Sequence, residues 1–116
     1  MDSPRKIYLI SAEINGVICH KIGYTKREVE TRIKEFKTGN CSDFEILYVY
    51  TPEKHPVSIE GALHKHFQLK KIDGEWFELS QEDIEEFPSL CEKFYDQFHL
   101  ISSTNTYITD NNITFK

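Results

Sequence analysis

Three shortages in this sequence each close off a class of protein. Cysteine is scarce: the 116 residues hold three, at positions 19, 41 and 91, with no CxxC spacing among them. An odd and scattered set of this kind supports neither a disulfide framework nor a zinc ribbon, and it suits a reducing compartment. Long apolar runs are missing, since none approaches the roughly 20 residues a membrane-spanning helix needs. The N-terminus shows no apolar segment shaped like a secretory signal. The expectation is a soluble, intracellular protein of one domain, because a chain this long buries about two-thirds of its unfolded surface without staples.

Positive charge is the third shortage. A formal net charge of -5 by itself disfavours an avid nucleic-acid binder, since Lys and Arg on phosphates supply most of such affinity. Its distribution changes the inference. Met1 to Ile72 carries 12 Lys+Arg against 9 Asp+Glu, whereas Asp73 to Lys116 carries 2 against 10. A mildly basic N-terminal region followed by an acidic one suits brief contact with a polyanion. The plainer reading of the acidic part is a solvated helix face.

Periodicity gives the elements. Residues 6 to 23 form two β-rich runs around Asn15-Gly16, a strong hairpin signal because both residues tolerate the positive φ of a type I′ turn. Thr25 and Glu28 have capping-box spacing, and Val29, Ile33 and Phe36 follow at helical intervals, predicting a helix from about 26 to 38 with Gly39 at its end. Residues 44 to 51 predict a third strand, buried on both faces. A helix over 56 to 69 should begin at Pro56 and bury a stripe of Val57, Glu60, Leu63, His64 and Phe67. Residues 76 to 79 read as a short extended piece after the Asp73-Gly74 turn. Ser80 and Asp83 should cap a helix that Pro88 interrupts, with a last helical segment to about 98. Residues 1 to 100 then form the domain, and 101 to 116 a tail or a late hairpin around Asn111-Asn112. The fold class is mixed α+β: a small antiparallel three-stranded sheet flanked by helices, in β-β-α-β-α order with extra C-terminal helices.

The chemistry-bearing segments are KIYLI (6 to 10), HKIGYT (20 to 25), ETRIKEF (30 to 36), IEGALHKHF (59 to 67) and GEWFEL (74 to 79). In this order and spacing they resemble the GIY-YIG nuclease superfamily, specifically the branch frequent in phages and large DNA viruses that carries KIG and GEWF motifs. The resemblance covers roughly residues 5 to 80. It implies that Tyr8 is the tyrosine of the first motif, Ile22-Gly23 the end of the second, Arg32 the helix arginine and Glu60 the metal-binding glutamate. Lys21 stands where the second tyrosine is usual and Phe36 where a histidine is. The late asparagine has no counterpart unless Glu75 or Trp76 takes its place.

The resemblance further implies a DNA endonuclease dependent on Mg²⁺ or Mn²⁺, its catalytic set Tyr8, Lys21, Arg32 and Glu60. Gly23, Tyr24, Lys26 and His64 would meet substrate, and the metal would sit on Glu60. Cleaving a phosphodiester needs an activated water, a cation to neutralise charge and a clamp on the phosphate, roles that suit Tyr8, Glu60 and Arg32 in turn. Lys21 would favour the Tyr8 phenolate or contact phosphate.

Each residue also has an ordinary structural role to weigh. Strand tyrosines mostly pack, Arg32 is of a kind that pairs with Glu28 or Glu35 on a helix, and His64 suits a core hydrogen bond. Gly23 implies close approach or a bulge, and Trp76 a lid on the core. Glu60 is hardest to dismiss, because a carboxylate on an apolar stripe is expensive to bury unless paired or coordinating. The rival readings are a catalytically weak or inactive fold serving as a nucleic-acid- or protein-binding module, and an unrelated adaptor. With no appended recognition domain in view, sequence specificity would be low, or would come from a homodimer or a targeting partner.

Overall fold

The computed structural model describes residues 5–29, 31 and 44–110, with side chains to 102. Strand β1 (Lys6–Ile14) and strand β2 (Val17–Thr25) form the hairpin expected of Asn15-Gly16. Both turn residues take positive φ, 54° at Asn15 and 83° at Gly16, the geometry that matches the right-handed twist of the flanking strands. Strand β3 (Glu45–Tyr50) pairs with the other side of β1. Strands β4 (Lys71–Asp73) and β5 (Trp76–Phe77) form a second, very short hairpin that joins β2 through His20↔Phe77 and Lys21↔Trp76. The sheet therefore has five strands in the order β3-β1-β2-β5-β4, all antiparallel, two more than the patterning predicts. Pieces of two and three residues are too short to show an alternation.

Strand alternation splits the sheet into two faces. Ile7, Leu9, Ile22 and Phe77 point to the face covered by helix α1 (Pro56–His66) and helix α2 (Gln81–Asp110). There they form the main core with Ile59, Leu63, Phe67, Phe87, Leu90 and Cys91. Burying each such large apolar side chain contributes about 1.5–3 kcal/mol, so this layer holds the helices to the sheet. Tyr8 and Ile10 point to the other face and pack with Val29, Phe44 and Ile46.

The structure corrects several expectations. β3 is an edge strand, mostly half-buried rather than buried on both faces. α1 stops at His66 and gives way to a single 3-10 turn, Gln68–Lys70. Its buried positions are Ile59 and Leu63, with Phe67 just past its end, whereas Val57 is 48% exposed. Pro88 does not break α2, which runs unbroken through Asp110 and so replaces both the stop near 98 and any hairpin before 110. A proline removes one ladder hydrogen bond, and the burial of Phe87, Leu90 and Cys91 around it holds the helix to the core. The expected cap at Ser80 is present as a reciprocal pair: the Asp83 amide donates to Ser80 Oγ (3.2 Å) and the Ser80 amide to Asp83 Oδ2 (2.9 Å). At Thr25 the hydroxyl accepts from the Arg27 amide (3.0 Å), and helical backbone starts only at Val29. The remainder of that expected helix, including Arg32, Phe36 and Gly39, lies outside the described residues, as does Asn111-Asn112.

Candidate functional site

β2 is longer than β5, and this mismatch creates the site. Past Lys21↔Trp76 the last ladder contact on that side is the Ile22 amide donating to the Glu75 carbonyl (3.2 Å). Beyond it no strand among the described residues borders β2 on that side, and α1 approaches there. His64 Nε2 lies 2.8 Å from the Ile22 carbonyl oxygen. A carbonyl only accepts, so Nε2 carries the proton in that bond. Trimming the sheet to two residues at β5 thus lets a helix from one face reach the strand end that carries the KIG residues.

Tyr8 and Lys21 stand on the opposite face from the main core. Tyr8 is 1% exposed, and Gly23 is its cross-strand partner. A Cβ at Gly23 would sit 2.5 Å from the Tyr8 hydroxyl oxygen, 2.7 Å from its ring carbon Cζ and 3.1 Å from Glu75 Oε1. The phenol therefore lies over the glycine: the group that comes close to Gly23 is a side chain of the neighbouring strand, whereas the sequence suggests backbone or substrate there, or a bulge. Lys21 is two pairs further along on the same face, opposite Ile10. Its ammonium meets Glu75 Oε1 at 2.9 Å and lies 5.5 Å from the centre of the Trp76 ring. Trp76 is half-buried and has Phe44 at 6.2 Å, so one indole borders both a core aromatic and a charge.

Glu60 approaches from α1. Its side chain is 13% exposed, and its carboxylate lies 3.8 Å from His64 Nε2 one turn later. Burial pushes its pKa up to about 7; the Glu75 carboxylate adds to the rise and Lys21 opposes it. Two carboxylates and an ammonium thus share one electrostatic neighbourhood at the end of β2.

Of the sequence-predicted residues, the structure brings Tyr8, Lys21, Gly23, Glu60 and His64 to this region. Tyr24 alternates to the other face of β2 and lies under the Arg5 guanidinium, 5.7 Å from its ring centre. Lys26 is exposed on the turn after β2. Glu75, read from the sequence only as a replacement for the late asparagine, joins this group through its ion pair with Lys21 and its place near Gly23. Its signal was the GEWF segment itself, whose tryptophan pairs with Lys21 and so delivers the preceding glutamate to the same place.

Among the described residues no group of three or more His, Cys, Asp or Glu is arranged to hold a metal. Mg²⁺ and Mn²⁺ in general bind through one or two carboxylates while keeping waters and taking substrate phosphate oxygens, and Glu60 and Glu75 are the carboxylates at the end of β2. A carboxylate that burial and a neighbouring carboxylate make costly to ionise is stabilised by such a cation. Elsewhere, Cys19 and Cys91 are buried thiols, and among the described residues no helix is long and apolar enough to cross a membrane.

Comparison with known families matches residues 5–92 to the T5orf172 domain. No curated protein and no solved structure matches the chain at a significant level.

Proposed function

Since the chain belongs to the T5orf172 domain family, a phage-associated family related in fold to the GIY-YIG nucleases and pointing to a nuclease-like or nucleic-acid-binding module, we propose that it is a divalent-metal-dependent DNA endonuclease. The observation that carries this reading is the electrostatic neighbourhood at the end of β2, where burial and Glu75 raise the pKa of the Glu60 carboxylate, Lys21 opposes the rise, and Glu75, paired with Lys21, also stands near the Tyr8 hydroxyl over Gly23.

In this reading Glu60 would hold Mg²⁺ or Mn²⁺, which would supply positive charge for the phosphate and the leaving oxygen. Tyr8 orients the attacking water or takes its proton through the hydroxyl that lies over Gly23. Lys21 places a positive charge on the same face, two positions from Gly23, where it stabilises charge developing on the phosphate. Arg32 completes the set as the phosphate clamp by resemblance of sequence. His64, fixed by its bond to the Ile22 carbonyl, borders the Glu60 carboxylate at 3.8 Å. Tyr24, on the other face of β2, and the exposed Lys26, on the turn after it, take no part in this step.

A second reading, a binding module without catalysis, draws on the Lys21–Glu75 pair, which neutralises the cation that would otherwise face the phosphate. Nicking of a supercoiled plasmid with Mg²⁺ or Mn²⁺, against a chelator control and Glu60→Gln, separates the two. The nuclease reading expects metal-dependent nicking that Glu60→Gln lowers by at least about 10². Binding without nicking under every metal condition supports the module.

A further inference from the structure

Glu75 stands at a junction that its position in a two-residue turn would not suggest. Its backbone is fixed to β2 by the Ile22 amide, the following residue pairs with Lys21, and the preceding Gly74 takes a φ of 56° to make the turn. Its side chain is 43% exposed, yet it grips an ammonium whose own side chain is 11% exposed. The same Oε1 faces Gly23, over which the Tyr8 hydroxyl also lies. A solvated turn glutamate would show none of these constraints.

We propose that Glu75 is a positioning residue that acts through Lys21, fixing its ammonium beside Tyr8 and Gly23 so that it meets the reacting phosphate in one orientation. The proposal rests on the nuclease reading above. Lysine is a point charge on a flexible stem, and unrestrained it would follow any phosphate within reach. Glu75 and the Trp76 face between them limit where Nζ can stand. Restraint of this kind favours the transition state over indiscriminate binding of the backbone.

The consequence is an effect of opposite sign on binding and turnover. Glu75→Gln keeps the size of the side chain and releases the ammonium, so nucleic acid should bind several-fold tighter at low salt, with a salt slope steeper by about one ion. Turnover should fall by about tenfold or more, so that kcat and KM drop together. Loss of folding would weaken both and cannot mimic this. In a Lys21→Met background, Glu75→Gln should do neither, because its target is gone.

The test measures binding of a labelled DNA duplex against salt, and plasmid nicking with Mn²⁺, for the parent, both single variants and the double. It adds the NMR signal of the Lys21 ammonium in the parent and in Glu75→Gln without nucleic acid. Tighter binding with slower turnover, both abolished by Lys21→Met, supports the proposal. Effects of Glu75→Gln that persist in the Lys21→Met background overturn it, as does no effect at all. An ordered ammonium that Glu75→Gln releases, in a protein that neither binds nor nicks DNA, would sink the nuclease reading while leaving the Lys21–Glu75 restraint standing. A disordered ammonium in the parent would sink the restraint, whatever the nuclease does.

Discussion

Tyr8 lies across Gly23, its partner on the neighbouring strand, so closely that no side chain fits at position 23. Gly23→Ala should therefore force the phenol away from its place, an overpacking that typically costs about 1–3 kcal/mol. Because the added Cβ would press on the Tyr8 ring and hydroxyl, Gly23→Ala should cost less when Tyr8 is already alanine. A double-mutant cycle by urea denaturation measures that coupling, and strictly additive costs would contradict the contact.

Glu60 makes stability depend on pH in an unusual direction. Its carboxyl is raised to about 7 in the folded chain from an ordinary 4.5. A group with a raised folded pKa lends its stability below the unfolded value and loses it as pH rises through the folded one. Without divalent cation the protein should thus weaken between about pH 4.5 and 7, by an amount on the order of 3 kcal/mol at most. Glu60→Gln should flatten this window, and Mn²⁺ should restore stability to the parent at pH 8 but not to the variant. Thermal melts across that range, with and without chelator, decide it.

Asp83 behaves oppositely. Burial works to raise its pKa, but the Lys70 ammonium and the Ser80 amide and hydroxyl outweigh it, so the carboxyl titrates below its usual range. That contribution is present above an ordinary aspartate pKa and is lost as pH falls through the lowered one. Asp83→Ala should cost about 1 kcal/mol through the cap, with little more from the half-exposed Lys70 partner. The deficit should shrink in acid, which chemical denaturation at pH 7 and pH 3 would reveal.

Arg32 is assigned by sequence resemblance. Arg32→Lys keeps the charge and loses the planar fork that grips phosphate oxygens in pairs, so turnover should fall steeply with little change in melting temperature. Unfolding by Arg32→Ala would mark a structural arginine instead.

Much of the fold was written locally. Asn15-Gly16 determined the first hairpin, Pro56 began a helix, and the Ser80–Asp83 pair capped another, because turn and cap preferences act over a few residues. The residues of the site were also legible as types: Tyr8, Lys21 and Glu60 sit in recognisable segments. What tertiary structure decided is how those segments meet. The shortness of β5 opens one side of β2, and His64 closes it by taking the Ile22 carbonyl. Only then do Glu60 from one face and Lys21 from the other share a field with Glu75. Nor could local propensity reveal that α2 runs through Pro88, since burial of Phe87, Leu90 and Cys91 against the sheet outweighs one missing hydrogen bond. Spacing along a chain records which groups are available. Their charges and protonation depend on distances and burial set between elements far apart in sequence.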